Sequence, residues 1–164
     1  YIVESGYNRM AFIGGMKITN IGKERIRGFK KAVKDHKIKK NDFIIIEGGY
    51  EEIDGYNGMR KLSKIRNKIP EIIFCVTYPV AIGVMRALEE LNISVPKDVN
   101  IMSFGGSTYN HFMKPSLSYV KQPINEIGER ATSKLIDHIR SSKTKVEHIK
   151  IPTEIIIRDT CRKR

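Results

Sequence analysis

Arg25, Tyr50, Thr77 and the pair Gly105-Gly106 each stand in a segment that follows a short apolar run. Together they offer a forked cation, an aromatic face, a hydroxyl and open backbone. These types suit recognition: a guanidinium pairs with a carboxylate, a phosphate or neighbouring hydroxyls, and a ring can lie on the apolar face of a polar small molecule. Turnover has no comparable set, because the chain carries no Walker lysine motif, no G-x-S-x-G elbow and no paired carboxylates beside a nucleophile. Gly14-Gly15 lacks the G-x-G-x-x-G spacing of a dinucleotide site, the next glycine being Gly22. Cys75, Cys161 and the scattered His36, His111, His138 and His148 have no metal-ligand spacing. The expectation is a binding protein without metal or cofactor, not an enzyme. Each residue also has a plainer reading: an exposed helix arginine for Arg25, simple packing for Tyr50, a tight loop for Gly105-Gly106, and a small core residue for Cys75.

The elements that position these residues follow from hydrophobic periodicity. Apolar runs at 10–13, 43–46, 72–76 and 99–104 read as strands without polar alternation. Between them, Ile26, Phe29, Ala32 and Val33 recur at helical spacing over 23–37, and Ile53, Tyr56, Met59, Leu62 and Ile65 form one stripe of a second helix. Pro79 opens a third helix that turns Ala81, Val84, Met85, Leu88 and Leu91 inward. A further helix is expected over 125–142, with Ile127, Ala131, Leu135, Ile136 and Ile139 apolar. Strands apolar on both faces and joined by helical crossovers make a doubly wound, mostly parallel α/β sheet with helices on both faces. Ligands of such sheets bind outside the carboxyl ends of the strands, where the recognition residues stand.

The 164 residues, 40% of them apolar, suffice for one domain with a single core. The formal charge of +12 invites a nucleic-acid reading. Its lysines and arginines at 23–40 and 60–68, however, alternate with apolar positions as on solvated helix faces, and no aromatic residues interleave with them as a stacking platform would require. No run approaches the roughly 18 apolar residues of a membrane span, and the first ten residues do not read as a signal peptide. A soluble, cytoplasmic protein with reduced cysteines is expected. The strand pattern begins soon after Tyr1, which is not a methionine, so the chain reads as a piece whose N-terminal part lies elsewhere.

Several segments fall in an order that resembles the LacI/GalR family of transcription regulators over residues 7–158: YNRMAFIGG, ERIRGFKKAV, EGGYEEIDGYNGMRKL, VPKDVNIMSF, KPSLSYVKQP, EIGERA and IPTEIIIRDT. The resemblance implies the effector-binding, periplasmic-binding-protein-like (type I) core of a bacterial repressor of carbohydrate-use genes. Such a regulator works allosterically as a cytoplasmic homodimer and reads operator DNA through an N-terminal helix-turn-helix outside this chain. Residues 1–122 would be the C-terminal effector-binding subdomain, 123–148 a helix joining an N-terminal subdomain, and 149–164 the return to the C-terminal subdomain. A periplasmic-type sugar-binding protein of a transport system shares the architecture and is the alternative; a sugar-modifying enzyme on a similar sheet is a third class.

By the same resemblance Arg25 occupies the place of an effector-binding arginine, Tyr50 that of an aromatic packed on a sugar ring, and Gln122 a further contact. Thr77-Tyr78 replaces Asn-Asp, and Gly105-Gly106 replaces an acidic pair, so two polar anchors are lost. Main-chain groups at the glycines, with Ser107, Thr108 or Tyr109, are the expected substitutes. The effector implied is a sugar or phosphosugar.

Overall fold

The apolar runs Met10–Ile13, Phe43–Ile46 and Ile72–Cys75 become strands β1, β2 and β3 in a computed structural model, which describes residues 1–65, 69–141 and 146–162. Between them lie α1 (Asn20–Asp35) and α2 (Glu52–Ile65), followed by α3 (Tyr78–Glu90) and β4 (Asn100–Phe104). Strand β5 (Ser118–Lys121), helix α4 (Ile124–Arg140) and strand β6 (Glu154–Ile156) complete the chain. Lys68 and Ser142, the expected ends of a basic cluster and of the last helix, lie outside the described residues.

The sheet runs β2-β1-β3-β4-β5-β6, parallel from β2 to β5 with β6 antiparallel at the edge. Strand order reverses at β1, so the crevice between the carboxyl ends of β1 and β3 is the topological switch point where such sheets bind ligands. Ala11, Ile13, Ile73, Cys75 and Ile101 join the core that α2 and α3 cover. Met10, Ile72 and Met102 face a second cluster with Tyr7 and with Phe29 and Val33 of α1. The Phe29 ring lies 5.3 Å from that of Phe12 and 6.4 Å from that of Phe43. Residues 1–7 close against this cluster with the bonds of a helix C-terminal cap: Tyr7 N–H donates to Ile2 O and Gly6 N–H to Val3 O, with Gly6 at φ +89°.

Helices α2 and α3 approach until a Cβ on Gly83 would stand 1.8 Å from Glu52 O, and one on Gly55 2.0 Å from Val80 O. This contact rotates α2 away from the expected stripe. Gly55, Gly58, Met59 and Leu62 are buried, whereas Ile53 and Ile65 are 54% and 51% exposed. The expectation of an inward stripe from Ile53 to Ile65 is therefore corrected: small residues take the inner face because the neighbouring helix is so close. Ala32 of α1 is likewise exposed, outside the line of Ile26 and Val33. On α3, Ala81, Val84 and Leu88 are buried as the spacing requires and Met85 and Leu91 are half-buried, while Val80 and Ala87 also join the inner face.

Strands β5 and β6 were not expected. Ser118 and Thr160 hold them in place with polar bonds: Ser118 N–H donates to Thr160 Oγ1 (2.8 Å), Arg158 N–H to Ser118 Oγ (2.8 Å), and Thr160 Oγ1 to Ile101 O (2.8 Å). Helix α4 has no buried residue; Ile124, Ile127, Leu135, Ile136 and Ile139 are all exposed. No helix among the described residues is long and apolar enough to cross a membrane. Cys75 and Cys161 are free and buried, and burial pushes both thiols up.

Candidate functional site

Thr19 sets where α1 begins. Its backbone is extended (φ −91°, ψ 146°), its Oγ1 accepts from Gly22 N–H at 3.1 Å, and the helix therefore starts at Asn20, three residues before the expected position. Arg25 thus falls on the second turn, over the sheet. Its Nη1 donates to Val76 O at 2.7 Å, just beyond β3, and its guanidinium carbon lies 4.1 Å above the Phe104 ring that ends β4. The side chain is half-buried, and this burial draws its pKa down, with Tyr50 acting in the opposite direction. Stacking on an aromatic face and donation to a neutral carbonyl leave the rest of the fork available.

Tyr50 packs against the core and lies across the start of α1, its hydroxyl bonded to Thr19 Oγ1. Gly22 makes room for it, since a Cβ there would stand 2.7 Å from the Tyr50 oxygen and 2.1 Å from Met16 O. Thr77 caps α3: Oγ1 accepts from Val80 N–H and donates to Tyr50 O at 2.8 Å. Tyr50 and Thr77 are therefore joined to each other and flank the Val76 carbonyl that holds Arg25. Tyr78 points elsewhere, its hydroxyl donating to Met113 Sδ at 3.5 Å.

The glycine pair is shaped by its neighbours. Gly105 adopts φ +84°, its N–H donates to Val120 O (2.9 Å), and its carbonyl accepts from Ser103 Oγ (2.6 Å). The main-chain anchor expected at Gly105 is thus already engaged within the sheet. At Gly106 a Cβ would lie 2.4 Å from the Tyr119 ring, so the absent side chain is space taken by that tyrosine. Ser107 Oγ accepts from Tyr109 N–H and caps the short helical turn Thr108–Phe112, in which Tyr109 is exposed.

Arg25, Phe104 and Gln122 come together around an open cavity of about 600 Å³, with Ile21, Phe29 and Phe74 as its apolar wall. Gln122 also borders a second cavity of about 770 Å³ with Gly105, Gly106, Tyr119 and Arg158 at the start of α4. Sequence reasoning missed Thr19, Phe104, Tyr119 and Arg158. The N-cap preference for threonine could have found Thr19. An aromatic residue closing a strand before two glycines was the signal for Phe104. No group of histidine, cysteine and carboxylate able to hold a metal occurs among the described residues.

A family model described as a periplasmic binding protein-like domain matches residues 1–161. The chain is 29% identical over 163 residues to the probable HTH-type transcriptional repressor ExuR of Bacillus subtilis, covering 99% of this chain and 49% of that protein. It is 26% identical to the HTH-type transcriptional repressor PurR of Vibrio vulnificus, covering 99% of this chain and 48% of that one. The chain thus spans about half the length of these relatives. Among solved structures, the Escherichia coli transcriptional repressor ascG superposes with a TM-score of 0.84 at 25% identity, over 98% of this chain and 58% of that one. A LacI family regulator from Enterococcus faecium shares the fold with a TM-score of 0.86 at 23% identity, over 99% of this chain and 60% of its own.

Proposed function

Since the chain belongs to the periplasmic binding protein-like domain family, in the form found in LacI-type repressors, we propose that it is the effector-binding and dimerisation part of a bacterial transcription regulator. The effector is a sugar or phosphosugar. It binds at the carboxyl ends of the strands, where Arg25 and Gln122 contact it, Gly105 and Gly106 line the adjoining cavity, and Tyr50 and Thr77 brace the loops beneath Arg25. The single observation that carries this reading is Arg25, half-buried beyond β3 and β4 at the edge of an open cavity, on a chain whose similar relatives are named repressors. The protein binds this ligand and does not turn it over. Those names also leave the transport-protein alternative without support.

The regulator reads operator DNA through a part outside this chain and works in the cytoplasm as a homodimer. Residues 1–122 and 149–164 form one subdomain, and 123–148 joins another. The exposed apolar residues of α4, from Ile124 to Ile139, are the surface on which the second subdomain packs, because a helix with no buried residue has its stabilising face still to cover. An effector held between two subdomains changes their relative orientation only through its different affinity for the two arrangements, and this coupling alters DNA affinity. The test is fluorescence anisotropy of the full-length protein on its upstream DNA, titrated with sugars and phosphosugars. The expected result is that at least one shifts DNA affinity by about 5- to 150-fold, the usual range of allosteric coupling. No shift with any of them would sink the effector reading.

A further inference from the structure

Charges around the two cavities at the strand ends are unevenly satisfied. Every acidic residue lining them is in an ion pair: Glu24 with Arg27, Glu126 with Arg130, and Glu154 with Lys121. The two arginines that line them, Arg25 and Arg158, are in none among the described residues. Arg158 Nε is moreover buried with no hydrogen-bond partner. Among the described residues, the hydrogen bond and the ring contact of Arg25 go to the neutral Val76 carbonyl and the Phe104 ring. Glu24 precedes it directly, and residues adjacent in a helix do not face each other. Gly105 presents no side chain next to Gln122, and the carboxylate of Asp54 is bonded to Glu51 N–H.

Hydrogen-bond capacity points the same way. A guanidinium only donates, and a neutral polyol brings hydroxyl protons that themselves need acceptors. The hydroxyls of Tyr50, Thr77 and Ser103, and the carbonyl of Gly105, are already bonded within the protein. Gln122 supplies one amide. A carboxylate or phosphate, which only accepts, matches the guanidinium fork and supplies the counter-charge that this half-buried cation lacks among the described residues.

Resting on the effector reading above, we propose that the effector is an anionic carbohydrate, bearing a carboxylate or a phosphate that Arg25 grips through the free edge of its guanidinium. Gln122 then holds a neighbouring polar group, and the Phe104 ring keeps the fork in place. Neutral parent sugars bind far more weakly.

The experiment is calorimetry on the full-length protein with sets that differ at one carbon only: glucose, glucuronate and glucose 6-phosphate, and galactose, galacturonate and galactose 6-phosphate. The expected result is that one charged member binds about 10- to 100-fold more tightly than its neutral parent, the scale of a charge-assisted hydrogen bond, and that its affinity falls as salt rises. Which charged member binds separates carboxylate from phosphate. Arg25→Gln is expected to remove that advantage, and Arg25→Lys to keep part of it, with thermal unfolding used to confirm that each variant folds. A neutral parent that binds as tightly as its charged partners overturns the anionic inference and leaves the effector reading standing. So does an Arg25→Gln protein that folds and keeps its preference. Binding by no member, neutral or charged, overturns both.

Discussion

The absent side chain of Gly106 makes room for the Tyr119 ring, and substituting the glycine tests that directly. An alanine Cβ there would lie 2.4 to 2.6 Å from three carbons of the Tyr119 ring, about 1 Å inside the closest ordinary carbon contact of roughly 3.5 Å. The ring cannot yield freely, because Tyr119 sits on β5 between β4 and the antiparallel β6. Overpacking of this kind costs about 1–3 kcal/mol. With a urea m-value of about 2 kcal/mol/M, Gly106→Ala should lower the unfolding midpoint of the 164-residue chain by about 0.5–1.5 M, followed by circular dichroism because the chain has no tryptophan. Tyr119→Ala removes the obstruction. The double variant Gly106→Ala/Tyr119→Ala should therefore be more stable than the sum of the two single changes by about 1–3 kcal/mol. Additive effects, or a Gly106→Ala midpoint within error of the parent, would refute the packing account and return Gly106 to the ligand.

Thr19→Ala removes both the cap of α1 and the hydroxyl partner of Tyr50, and should cost about 1 kcal/mol, or a fall of about 2–4 °C in melting temperature by calorimetry. An unchanged melting temperature would mean that the helix start is fixed by something other than its cap. Asp159 accepts from the side chain and the backbone N–H of Ser116, and these bonds hold its carboxyl below the ordinary value of about 3.9. A depressed folded-state pKa contributes stability above the unfolded value and loses it as pH falls through the folded one. The parent should therefore melt above Asp159→Asn at pH 6, and the gap should close below about pH 4; a gap that widens on acidification has the wrong sign for this account.

Most of the fold was legible because β1, β2 and β3 are uninterrupted apolar runs, as in strands covered on both faces, and β4 sets Ile101, Met102 and Phe104 among the polar Asn100 and Ser103. β1, β2, β3 and β4 lie where those runs stand, the first two with the expected bounds. β5 and β6 were hidden for the opposite reason. β5 is short and mixed, and Ile155 and Ile157 are exposed at the sheet edge rather than in the core; polar pairs such as Ser118 with Thr160 and pairing across a long loop place these strands, and periodicity registers neither. The rotation of α2 was illegible in the same way. Periodicity ranks residues by how apolar they are, whereas the α2 and α3 contact selects Gly55 and Gly83 by how small they are.

The types of residue at the candidate site were legible in the sequence, whereas their partners were not. Arg25 stands out in sequence because a forked cation after a strand suits recognition, but its environment depends on Thr19 starting the helix early and on Phe104 and Val76 lying beneath it. Tyr50 was read for its ring and Thr77 for its hydroxyl; the bonds of their hydroxyls, to Thr19 and to the Tyr50 carbonyl, join them to each other and to the start of α1, which spacing does not reveal. The glycines at 105 and 106 looked like open backbone; one is bonded into the sheet and the other is filled by Tyr119. Each of these internal bonds removes a group that a neutral ligand would need, and none of them neutralises Arg25. That Arg25 is left without a counter-charge among the described residues is therefore a consequence of how the loops brace one another and of Glu24 pairing with Arg27. It could not be read until the partners of these groups were known.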